Sequence, residues 1–92
     1  MIKHKSNEPI DQSALDSMGK NGHRLSQVAL TEAGGFEYTL IPAHRESQQT
    51  FTYRCFEHED CGAIPVGSMP ESGYSIAATL FYEDKIYVYW IA

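Results

Sequence analysis

Lys85-Ile86-Tyr87-Val88-Tyr89-Trp90-Ile91, entered from Tyr74 to Tyr82 through the acidic pair Glu83-Asp84, decides how this chain is read. As a strand it sends Ile86, Val88 and Trp90 to one side and Tyr87, Tyr89 and Ile91 to the other. A strand apolar on both faces is either central in a covered sheet or has one face at an interface. The two-residue link Glu83-Asp84 predicts a tight hairpin with the strand before it.

Working outward, the same pattern occurs earlier in the chain. Leu25, Val28 and Leu30 are the apolar members of a strand expected from His23 to Leu30. Thr31 to Gly35 is a turn, because a glycine pair supplies positive φ readily. Phe36, Tyr38 and Leu40 then alternate with Glu37 and Thr39 in a return strand to Ile41. Ser17-Met18 and Gly22 reappear as Ser68-Met69 and Gly73, an offset of 51 residues (22 to 73). Leu25 then matches Ile76, Leu30 matches Phe81, and Phe36-Glu37-Tyr38 falls near Ile86-Tyr87-Val88. This is a pseudo-repeat of two hairpin units, with chance alternation as the competing explanation.

A helix is expected from Ser6 to Met18. Ser6 or Asn7 would cap it, Pro9 suits its first turn, and Ile10, Ala14, Leu15 and Met18 share one face. Gly19 and Gly22 would end it. A polar loop covers 43–49, and a third strand runs from Thr50 to Glu57. Between Gly62 and Pro70, two glycines and two prolines argue against a helix. The expected fold is α+β: one antiparallel sheet of about five strands, with the N-terminal helix on one face. The 92 residues form one domain, with unit one at about 6–42 and unit two at about 50–92.

Leu15-x-x-Met18-Gly19-x-x-Gly22-His23-Arg24-Leu25 followed by a hairpin resembles an uncharacterised family of very small bacterial and phage α+β proteins. Their usual pattern is Leu-x-x-Leu-Gly-x-x-Gly-Trp-Glu-Leu and then two strands. The resemblance spans Leu15 to Ile41 and returns from Met69 to Ile91, with His23 and Tyr74 at the family's tryptophan position. It implies a sheet with one helix-covered face and carries no catalytic residues to transfer.

The formal charge of −5 repels a phosphate backbone and disfavours direct nucleic-acid binding. No apolar run is long enough to span a membrane, and the polar start Met1–Ile10 lacks a signal-peptide core, so the cytoplasm is the expected location. Two cysteines are too few for a secreted disulfide framework.

Cys55-x-x-His58-x-x-Cys61 is the stretch richest in chemistry. Two thiolates and an imidazole could bind a soft divalent metal, with Glu57, Glu59, Asp60 or the distant His4, His23 or His44 completing the set. The usual signature has a second ligand doublet, which this chain lacks, so a core-facing Cys55 is the preferred reading. The acids around Cys61 would raise its pKa and disfavour a nucleophile. No phosphate loop, serine elbow or paired helical histidines are present. The chain is read as non-enzymatic, without cofactor.

With one helix, one sheet face should lie open and present Tyr82, Tyr87 and Tyr89, which suit an interface because they add area at low entropic cost. Glu32, Glu57, Glu59, Asp60, Glu83 and Asp84 would meet a basic partner. The expected role is a small acidic protein-binding regulator or inhibitor, with a homodimer also open. Phage-encoded inhibitors of host defence or nucleic-acid-handling complexes share this size and charge, by analogy. The alternative role is a small metal-binding protein using Cys55, His58 and Cys61.

Overall fold

The structure, a computed structural model, describes residues 1–42, 48–59, 70 and 72–92. In chain order its elements are β1 (Ile2–Ser6), α1 (Gln12–Lys20), β2 (Arg24–Leu30), β3 (Phe36–Ile41), β4 (Tyr53–Glu59), β5 (Ser75–Tyr82) and β6 (Lys85–Ile91). The class is α+β, but the strands form two three-stranded antiparallel sheets, β1-β3-β2 and β4-β6-β5, in place of one five-stranded sheet. The added strand is β1, which pairs Ile2 with Leu40 and Ser6 with Phe36. Its sequence, Ile-Lys-His-Lys-Ser, has a single strongly apolar residue, so only the edge that β3 offers makes it a strand. The residues expected to form a broken segment between Gly62 and Pro70 lie almost entirely outside the described residues.

The helix starts later than its sequence suggests. Asp11 is the N-cap, its carboxylate accepting the N–H of Ala14 at 3.1 Å. Burial alone would raise the Asp11 pKa; the Ala14 N–H, Ser6 and His4 outweigh it and hold the carboxyl below its usual value. Glu8 and Pro9 stay out of the helix because tertiary partners claim their carbonyls. The Tyr38 hydroxyl lies 3.0 Å from Glu8 O and 2.8 Å from Pro9 O, and the Tyr89 hydroxyl also donates to Pro9 O. Of the expected helix face, Leu15 is fully buried, and Ile10 and Met18 pack against the core.

Gly19 sits inside the helix and not at its end. A Cβ there would lie 2.2 Å from the Phe51 carbonyl oxygen, so only glycine lets α1 approach the chain entering β4 so closely. The Phe51 N–H seals this contact by donating to Gly19 O at 2.9 Å.

Each sheet places its last strand in the centre, flanked by its first and second strands. The two hairpins also share their irregularities. Gly22 and Gly73 both have positive φ, +75° and +97°. The β2–β3 ladder skips Ser26, between Leu25 and Gln27, and the β5–β6 ladder skips Ala77, between Ile76 and Ala78. Ser26 and Ala77 are again 51 residues apart (26 to 77). Register therefore makes Leu40 the counterpart of Trp90, and Thr39 that of Tyr89.

The sheets come closest along β2 and β5, and one main core joins them. Leu25, Val28, Phe36, Tyr38 and Leu40 meet Tyr53, Leu80, Tyr87, Tyr89 and Ile91 there. Tyr38 and Tyr89 contact edge to face at 6.1 Å, and Phe36 meets Tyr82 at 5.1 Å.

Candidate functional site

The sequence-based site residues fall into three groups in space. The first is the tyrosine set. Tyr87 and Tyr89 are 6% and 0% exposed, so the face they share is core and not an open docking surface. Tyr87, Tyr89 and Ile91 do share one face of β6, but that face is the covered one, because the first sheet closes over it. Burial drives the Tyr38 and Tyr89 hydroxyls well above the ordinary tyrosine pKa. Tyr82 remains half-buried at the end of β5.

The second group is the metal candidate. Cys55 and His58 are three residues apart on a strand, so they project to opposite faces of β4. Cys55 packs on the main core with Tyr53, while the His58 ring lies 6.5 Å from Phe56 on the other face. They do not converge, and Cys61 lies outside the described residues, as does His44. Among the described residues no three His, Cys, Asp or Glu side chains are placed to hold a metal ion. Burial first, and Asp16 second, push the Cys55 thiol up to about 12, the opposite of what a nucleophile requires.

The third group is acidic, and here the fold brings the residues together. The ladder sets Glu57 opposite Tyr87 and Glu59 opposite Lys85, while Tyr82 pairs with Lys85 across the hairpin. Glu57, Glu59, Glu83 and Asp84 thus share one end of the second sheet, with Lys85 the one cation among the described residues there. Lys85 Nζ contacts the Glu57 carboxylate and lies 3.7 Å from that of Glu59. Hydrogen bonding to Glu57, and its charge, raise the Lys85 pKa, and Glu83 raises that of Tyr82. Asp60 lies outside the described residues, and Glu32 sits in the β2–β3 turn of the other sheet.

The turn at this end has an unusual backbone. Glu83 and Asp84 have φ of +48° and +62°, the left-handed pair of a two-residue hairpin that Asn-Gly fills best. Holding non-glycine residues there costs about 1 kcal/mol each, somewhat less for Asp.

The outer face of the same sheet carries a second set of apolar residues. Phe56, Ile76 and Phe81 are 36%, 44% and 57% exposed, around the buried cluster Ile86, Val88 and Trp90. The signal was available in the hairpin register, since pairing Tyr82 with Lys85 places Phe81 beside Ile86. Trp90 Nε1 and His58 Nε2 on this face have no hydrogen-bond partner among the described residues.

No family model, curated protein or solved structure matches this chain. Among the described residues no helix is long and apolar enough to cross a membrane.

Proposed function

We propose that this chain is a non-enzymatic binding module, a small acidic regulator or inhibitor that docks a basic protein surface through the acidic end of its second sheet. The observation that supports this most is the β5–β6 turn. Two acidic side chains, Glu83 and Asp84, occupy left-handed backbone positions that Asn-Gly would fill with less strain. That strain is held beside Glu57 and Glu59, where a further negative charge adds repulsion, although Glu83 also accepts a hydrogen bond from the Tyr82 hydroxyl. Local strain retained next to a clustered charge is the mark of a site kept for contact with something else.

Lys85 organises the cluster. Lying between Glu57 and Glu59, it fixes their carboxylates while leaving the group net negative. Phe81, 57% exposed on β5, gives an apolar anchor at the same end of the sheet, on the face opposite Glu57 and Lys85. Tyr82 stands between the two, and Tyr87 and Tyr89 support the site from the core.

The test is affinity capture of the partner, comparing the wild-type chain with the triple variant Glu57→Lys, Glu83→Lys, Asp84→Lys. Capture should be lost in the variant and weaken with rising salt for the wild type, while circular dichroism stays unchanged. Equal, salt-independent capture by both proteins overturns the proposal.

A further inference from the structure

The pairing of β4 with β6 leaves a definite set of backbone groups facing away from the sheet. Thr52 and Ala92 exchange both of their N–H···O bonds, at 2.9 and 3.0 Å. Opposite residues in an antiparallel ladder alternate between bonded and non-bonded pairs. With no register shift between β4 and β6, Arg54, Phe56 and His58 therefore bond to Trp90, Val88 and Ile86. Tyr53, Cys55 and Glu57 direct their N–H and C=O groups to the opposite, outer edge.

Two independent contacts agree with this parity. At the start of the edge, Phe51 N–H donates to Gly19 O, and Gln12 Nε2 donates to Tyr53 O at 2.9 Å. Helix α1 thus engages the Phe51 N–H and the Tyr53 carbonyl and stops there. The next outward groups, those of Cys55 and Glu57, have no partner among the described residues. Between them and the helix lies a shallow groove of about 430 Å³, lined by Gln12, Asp16, Tyr53, Arg54, Cys55 and Phe56.

An open edge of this kind is a template for an added strand unless something guards it. Here the guard has a sign. Asp16 borders the groove from the helix, and Glu57 and Glu59 stand along the strand. Lys85 is engaged by both glutamates, Arg54 lines the groove from the face opposite Glu57, and Lys20 lies at the far end near Thr50.

We propose that the outer edge of β4 at Cys55 and Glu57 takes a basic, extended segment of the partner protein as an added strand. This rests on the reading above that the partner is basic, and adds how it is held. Acidic side chains repel most strands that reach this edge and admit one carrying lysine or arginine, which gives selectivity by charge. A second copy offering its own β4 would set Glu57 and Glu59 against their equivalents, an unfavourable cross-strand arrangement. A second copy offering β1, with Lys3 and Lys5, matches in sign, but Lys3 is already engaged by Glu37 at 3.4 Å. Such head-to-tail pairing would not close and would grow with concentration.

The test uses the whole chain and a defined probe, an acetylated and amidated octapeptide of alternating lysine and valine, with a glutamate and valine octapeptide as control. At low salt the lysine probe should bind and slow amide hydrogen exchange at Cys55 and Glu57, and the glutamate probe should do neither. Glu57→Pro removes an N–H that the ladder to β6 does not use, while Glu57→Gln keeps it. Proline should weaken probe binding about tenfold, the effect of one backbone hydrogen bond, and glutamine about threefold. If Glu57→Pro does not fold by circular dichroism, the exchange protection at Cys55 and Glu57 in the wild type decides alone.

Equal affinity of the proline and glutamine variants, with no protection at Cys55 and Glu57, overturns strand addition. If Glu83→Lys and Asp84→Lys still weaken binding in that case, basic docking survives without it. Failure of the lysine probe to bind, or concentration-dependent growth of the chain alone by light scattering, also overturns the proposal.

Discussion

The central strands β3 and β6 hold the same place in their sheets and live in different surroundings. β3 buries Phe36, Tyr38 and Leu40 and turns Glu37 and Thr39 towards solvent. In β6 the counterparts of the buried set, Ile86, Val88 and Trp90, form a separate cluster on the outer face. The counterparts of Glu37 and Thr39 are Tyr87 and Tyr89, and these face the common core. The second sheet therefore meets the first with the face opposite to the one the repeat would match. Two like hairpins can share one core in this way only if the second is apolar on both sides, and the two tyrosines are that adaptation.

The sharpest way to break this comparison is to truncate the paired positions. Tyr89→Ala should lower stability by about 3–5 kcal/mol, as removal of a buried aromatic does, while Thr39→Ala should cost less than about 1 kcal/mol. Urea unfolding measures both, and similar losses at the two sites would show that the faces are not inverted.

The glycines offer the next test. Gly19→Ala should destabilise by about 2 kcal/mol, since a Cβ meets the Phe51 carbonyl, even though alanine favours the helix by about 1 kcal/mol. Gly73→Ala meets no neighbouring atom within 4 Å and is strained only by its φ of +97°, for about 1–2 kcal/mol. Thermal unfolding of the two variants should rank them in that order.

Asp11→Ala, which removes the N-cap of α1, should cost about 1 kcal/mol in the same assay.

The buried hydroxyls give the pH dependence. Tyr38 and Tyr89 have folded pKa values raised above the unfolded value of about 10. Their contribution is fully present below pH of about 10 and is lost as pH rises towards the folded values. Stability measured across alkaline pH should fall from about pH 10 upward, and less steeply in Tyr89→Phe.

The smallest effect should be a gain. Glu83→Gly relieves one left-handed position and should stabilise the fold by about 0.5–1 kcal/mol while weakening partner capture. A gain in both stability and capture would remove the argument that this turn is kept acidic for binding.

Periodicity and turn chemistry made most of this architecture legible. Phe36–Ile41 and Lys85–Ile91 are the strands that the alternation and the Glu83-Asp84 link indicate, and the positive-φ glycines at 22 and 73 mark the repeat. The turn places Glu83 and Asp84 at the β5–β6 hairpin end, but it is the pairing of β4 with β6, a long-range contact, that brings Glu57 and Glu59 beside them. Tertiary contacts decided what remained. Strand β1 exists because β3 offers an edge, and α1 begins at Gln12 because the Tyr38 and Tyr89 hydroxyls take the carbonyls of Glu8 and Pro9. Which face of β6 lies inward is likewise a property of sheet packing: both faces are apolar, and local sequence has no preference between two surfaces that are equally costly to expose.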